Sequence, residues 1–108
     1  MARLESLREE WVKLEIGKLT QLPSAAGVFE LGDINREVIY IGTARDLNKD
    51  LLPYLNSDNS CLRQAKYFRV SINPELQRGE LYLFQRYKED NDNRIPRCNR
   101  RDPTRLIR

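Results

Sequence analysis

Two short β-rich runs, separated by five turn-forming residues, constrain this chain more than any other feature. Gly27–Leu31 is a short extended run. Gly32-Asp33-Ile34-Asn35-Arg36 is polar and turn-prone, and Glu37-Val38-Ile39-Tyr40-Ile41 is rich in β-branched and aromatic side chains. Such a pattern predicts a β-hairpin. Gly42 ends the second run, and the apolar period then changes from strand-like to helical: Leu47, Leu51 and Leu52 share one face of a helix predicted over residues 44 to 52, with Asp46 in its first turn and Pro53 near its end. A strand followed directly by a helix belongs to a mixed α/β domain.

The rest of the chain extends that pattern. Leu4, Leu7, Trp11 and Leu14 are spaced three, four and three apart among charged residues, which predicts an amphipathic helix over residues 3 to 16. Its stripe would pack on the domain, or Trp11 would anchor a partner helix. Gly17 and Leu22-Pro23-Ser24 end it. Asn56 to Ser60 reads as a polar loop before another short helix, and Lys66 to Ile72 as a third strand. Asn73-Pro74 pairs an N-cap residue with a proline suited to the first helical position. The helix it opens carries Leu76, Glu80, Leu83, Phe84 and Tyr87 on one face and ends in a turn over Asp90 to Asn93. No internal repeat is present.

A chain of 108 residues suits one domain, here residues 1 to 108, and 40% hydrophobic against 32% charged residues provides a core beneath a charged surface. No apolar run reaches the roughly 18 residues of a membrane span, and Met1 to Glu5 does not read as a signal peptide, so a cytoplasmic location and no membrane partner are expected. Cys61 and Cys98 have no metal-ligand spacing and are expected as reduced or buried thiols. With no histidine, triads, His-ligated zinc and imidazole bases are excluded. Tyrosine, lysine, carboxylate and a carboxylate-bound cation remain.

The net charge of +3 is uneven: residues 94 to 108 carry six arginines against Asp102, or +5, and residues 1 to 93 carry 13 basic against 15 acidic residues, or −2. Arg94, Arg97, Arg100, Arg101, Arg105 and Arg108 would bind nucleic-acid phosphates, DNA before RNA, or an acidic protein partner.

Gly27-Val28-Phe29 and Tyr40-Ile41-Gly42 at hairpin spacing, the helices and third strand that follow, and the closing Ile95-Pro96-Arg97-Cys98-Asn99 resemble the GIY-YIG nuclease superfamily over residues 21 to 99. Val38 to Leu47 is particularly similar to the N-terminal nuclease domain of a bacterial excision-repair protein. Residues 1 to 20 would be an added helix and linker, and residues 100 to 108 an arginine-rich tail. The resemblance implies a three-stranded antiparallel sheet flanked by helices, and metal-dependent cleavage of a DNA phosphodiester. In it, tyrosines orient the attacking water, a cation offsets phosphate charge and a glutamate holds Mg²⁺ or Mn²⁺.

Carried onto this chain, Tyr40, Tyr54 and Asn99 match the family's positions. Phe29 stands where a tyrosine is usual, Thr43 where a lysine is frequent, and Asp50 where the helix arginine belongs; Arg45 or Lys49 would have to replace that cation. Counting from the start of the long helix assigns the metal to Glu80, whereas counting back from Asn99 assigns it to Gln85, a poor ligand for a hard cation. Three readings follow: a catalytically impaired GIY-YIG-like module that binds nucleic acid or protein, an active metal-dependent endonuclease, and a subunit of a larger assembly.

Overall fold

The computed structural model describes residues 10 to 105. Its centre is an antiparallel sheet of β1 (Val12–Lys13), β2 (Gly27–Gly32), β3 (Val38–Ala44) and β4 (Tyr67–Ile72), ordered β1-β4-β2-β3. Three helices accompany it: α1 (Ile16–Leu19), α2 (Leu47–Asp50) and α3 (Leu76–Asp90), with short 3₁₀ turns at Leu52–Asn56, Leu62–Gln64 and Pro103–Arg105. The mixed α/β architecture and the hairpin are as the sequence predicts, with four strands in the sheet instead of three.

The extra strand arises where a helix was expected. Val12 pairs with Phe68, and the Leu14 amide donates to the Lys66 carbonyl at 2.9 Å, covering an edge of β4 that would otherwise be open. Residues 3 to 9 of the predicted helix lie outside the described residues. Trp11 packs on the chain's own sheet: its ring lies under the Arg69 guanidinium at 3.9 Å and fills the space a side chain at Gly32 would need. A spacing of three and four cannot exclude a two-residue strand, because the partner edge is more than 50 residues away in sequence.

Alternation along β2 divides the core between the sheet's faces. Phe29 and Leu31 join Leu19, Ile39, Leu47, Leu51 and Phe68 on one side, while Val28 and Ile41 meet Leu83 and Phe84 of α3 on the other. Buried Glu30 and Arg69 face each other across β2 and β4, Nε to Oε1 2.6 Å, so a one-residue slip would strand both charges against apolar neighbours.

Two helix starts differ from expectation. α2 is shorter than residues 44 to 52 because β3 runs on to Ala44 and Asp46 caps the helix, accepting from the Asn48 amide at 3.0 Å. α3 begins two residues later than Asn73-Pro74 implies, since Asn73 spends its side-chain oxygen on the Glu75 amide as a local turn.

Cys61 and Cys98, expected as free thiols, are joined in a disulfide. The cause is the path of the C-terminal segment. It returns along the outer edge of β3, where the Cys98 amide donates to the Ile39 carbonyl at 2.9 Å, and so reaches the turn that carries Cys61.

Candidate functional site

The Tyr40-Ile41-Gly42 run lies on β3, and each of its residues has a different task. Gly42 is paired across the hairpin with Phe29, and a Cβ at position 42 would sit 2.5 Å from the Phe29 ring. The missing side chain therefore makes room for that ring, which is buried. Phe29 in turn supports two tyrosines: its ring centroid is 6.1 Å from Tyr40 and 5.4 Å from Tyr54, and the two tyrosine rings are 5.7 Å apart. Tyr54 arrives on the 3₁₀ turn Leu52–Asn56, which Pro53 helps to begin.

Ile41 directs both of its backbone polar groups away from β2. Its amide donates to Asn99 Oδ1 at 2.9 Å, and Asn99 Nδ2 donates to its carbonyl at 3.0 Å. The Asn99 side chain thus imitates a further strand along the edge of β3 and fixes the tyrosine-bearing strand from outside.

Opposite this edge, α3 comes close to the sheet because residue 79 is glycine; a Cβ there would lie 2.9 Å from Val28 Cγ1. The next residue, Glu80, is thereby brought to a cleft of about 510 Å³ shared with Tyr40, Gly42, Thr43, Asn99 and Arg101. Partial burial raises the Glu80 carboxyl above its usual range, and the nearby charge of Arg101 opposes the shift. Gln85 is exposed and does not line this cleft. Arg100 joins the same wall from the C-terminal segment.

The Tyr54 phenol is also pushed well above its usual range, by burial first, then by its hydrogen bond to Tyr40 and the charges of Tyr40 and Asp50. It therefore stays neutral near pH 7. Asp50, where the sequence resemblance leads one to expect an arginine, turns its carboxylate back on the chain: Oδ2 accepts from the amides of Arg45 (3.0 Å) and Asp46 (3.2 Å). An anion bonded to two backbone amides closes the turn into α2 and adds negative charge beside Tyr54.

Tyr40, Glu80 and Asn99 therefore share one concavity, with Phe29 and Tyr54 packed behind Tyr40. Arg45 and Lys49 are exposed and line neither this cleft nor the neighbouring 360 Å³ cavity that Tyr54 borders. The arginine-rich end is divided. Arg97 is committed to Asp33 at 3.1 Å and Gln64 at 2.8 Å, Arg105 approaches Asp102 at 3.9 Å, Arg94 is exposed, and Arg108 lies outside the described residues. Burial would raise the Asp33 carboxyl, but hydrogen bonds from the Glu37 and Asn35 amides and from Arg97 hold it below its usual range.

The two arginines that do reach the cleft depend on contacts that period-based reading does not register. Lys88 Nζ donates to Asp102 Oδ2 at 2.6 Å and to Thr104 Oγ1 at 2.9 Å, tying the segment to α3. The Asp102-Pro103-Thr104 turn signal was the available clue.

A family model described as a domain of unknown function, DUF7508, matches residues 5–90. Among curated relatives, the chain is 42% identical over 62 residues to the UvrABC system protein C of Rickettsia akari (strain Hartford), covering 56% of this chain and 9% of that protein. It is 46% identical over 48 residues to the protein of the same name from Rickettsia canadensis (strain McKiel), covering 43% of this chain and 8% of that protein. The chain thus spans under a tenth of the length of these relatives.

The fold matches the GIY-YIG N-terminal endonuclease domain of UvrC from Thermotoga maritima. The magnesium-bound form gives a TM-score of 0.56 at 22% identity, covering 82% of this chain and all of that domain. A tyrosine-to-phenylalanine point mutant bound to the catalytic divalent cation gives 0.57 at 24% identity, covering 83% and all of that domain. At these identities the likeness concerns the fold.

Proposed function

Because the chain belongs to the DUF7508 family and carries the GIY-YIG fold, we propose that it is a nucleic-acid-binding module, DNA before RNA, in which phosphodiester cleavage is impaired. One observation carries this reading: Asp50, standing where the resemblance calls for a phosphate-binding cation, spends its carboxylate on the amides of Arg45 and Asp46, so that position brings no cation to the cleft of Tyr40 and Glu80. Phe29 adds to the deficit, since its ring packs against Tyr40 without bringing a hydroxyl of its own. Losing one preorganised polar or charged group costs on the order of 100-fold in rate, so losing both the cation and the hydroxyl leaves little cleavage.

The cleft still has the chemistry to bind. Tyr40 presents a hydroxyl, Arg100 and Arg101 bring positive charge, and Glu80 fits a divalent cation as its one protein carboxylate, in keeping with the way Mg²⁺ takes one or two carboxylates and retains waters. Among the described residues no group of three cysteines or carboxylates gathers to hold a metal, so Glu80 would anchor Mg²⁺ or Mn²⁺ weakly without phosphate. When bound, such a cation would offset charge on a phosphate oxygen.

The test of this reading is fluorescence anisotropy of labelled duplex and single-stranded DNA over a salt series. Binding should weaken steeply as salt rises. No binding at low salt would overturn the nucleic-acid reading in favour of a protein partner. No helix among the described residues is long and apolar enough to cross a membrane.

A further inference from the structure

We propose that Arg101, with Arg100 beside it, is the phosphate-holding group of the cleft, delivered by the C-terminal segment in place of the cation that Asp50 does not supply. The inference deepens the nucleic-acid reading and rests on it. Three observations support it.

First, the position is suitable. Arg101 lines the cleft that Tyr40 and Glu80 share, and its charge acts on Glu80. With Arg100 on the same wall, the two arginines outweigh the single carboxylate among the lining residues. Arg45 and Lys49, the other candidate substitutes, line neither this cleft nor the cavity that Tyr54 borders.

Second, Arg101 is available. Arg97 is held by Asp33 and Gln64, and Arg105 leans on Asp102, whereas among the described residues no carboxylate lies within ion-pair distance of Arg101. An exposed guanidinium at the rim of a concavity can take two phosphate oxygens at once without first breaking a pair.

Third, its backbone is fixed. Asp102, the next residue, receives Lys88 Nζ at 2.6 Å on Oδ2, and the Thr104 amide (3.0 Å) and hydroxyl (2.6 Å) on Oδ1. The Lys88 and Asp102 side chains are 14% and 13% exposed, so this lock is largely shielded from water and salt. It sets the direction from which Arg101 leaves the segment, which makes Lys88 and Asp102 positioning residues.

Anisotropy of a labelled duplex between about 50 and 200 mM salt, with the full chain and its variants, tests the assignment. Arg101→Ala should weaken binding about 10-fold and reduce the slope of log affinity against log salt by about one. Arg78→Ala, an equal change of charge at a residue 83% exposed on α3 outside the cleft, should leave both unchanged. Asp102→Asn should lose part of the affinity and slope, and Lys88→Arg should keep them, with far-ultraviolet dichroism confirming the fold of each. If Arg101→Ala binds like the parent chain, this assignment is overturned while the nucleic-acid reading stands. If the parent chain does not bind at the low-salt end, the reading fails and the assignment with it. An Asp102→Asn chain with full affinity and slope would overturn the lock.

Discussion

Replacing Asn99 by alanine removes both hydrogen bonds that hold the outer edge of β3 at Ile41. Each such bond contributes about 0.5 to 1.5 kcal/mol net, so the pair accounts for about 2 kcal/mol. For a domain of this size, 1 kcal/mol moves the melting midpoint by about 4 to 8 °C, which places Asn99→Ala about 8 to 16 °C below the parent. Trp11, the single tryptophan, is stacked under Arg69 and provides a fluorescence reporter for thermal or urea unfolding.

A second variant tests the direction of the bonds. Asn99→Asp keeps the acceptor for the Ile41 amide but sets an anionic oxygen against the Ile41 carbonyl, so it should be less stable than the parent at pH 7. Protonation restores the donor. The folded-state pKa of that carboxyl should lie above its unfolded value, and the lost stability should return as pH falls through it. If Asn99→Ala melts within about 2 °C of the parent, and Asn99→Asp shows no pH-dependent recovery, the clamp does not hold the strand and Asn99 needs another explanation.

Other perturbations test the remaining supports of the site. Gly42→Ala should cost about 1 to 3 kcal/mol by forcing a methyl against the Phe29 ring, and pairing it with Phe29→Leu should recover part of that loss in urea melts. Reducing the Cys61–Cys98 bond, which links residues 37 apart in sequence, should lower stability by up to about 4 kcal/mol on the loop-entropy estimate, read as a shift in urea midpoint between oxidised and reduced samples. Burial raises the Asp102 carboxyl, but Lys88 and Thr104 hold it below its usual range, so its contribution is present above the unfolded pKa and disappears as pH falls through the lower folded value. Acid unfolding of Asp102→Asn should accordingly show a shallower pH dependence than the parent.

Local signals made most of the frame legible. The β-branched run at Val38 to Ile41, the polar turn before it and the leucines after Asp46 each fixed an element from neighbours within a few residues, and the hairpin and α2 stand where those signals lie. Elements that depend on a distant edge were not legible. Val12–Lys13 is a strand because β4 offers an open side, and Cys61 meets Cys98 because the C-terminal segment returns past β3.

The site divides in the same way. Tyr40 and Glu80 are candidates from motif and helix count, whereas the fact that Glu80 and not Gln85 lines the cleft depends on which side of α3 packs toward the sheet. Composition alone made the six arginines one basic tail. In the fold, Arg97 is a structural partner of Asp33, while Arg100 and Arg101 belong to the cleft.

A cleft that binds nucleic acid but lacks the phosphate-binding cation should cleave it poorly. The most direct test is the initial rate of supercoiled-plasmid nicking in Mg²⁺ or Mn²⁺, measured for the parent chain beside Glu80→Ala at concentrations where anisotropy shows DNA bound. The two rates should be indistinguishable. Metal-dependent nicking by the parent that disappears in Glu80→Ala would contradict this expectation and make the chain a working endonuclease.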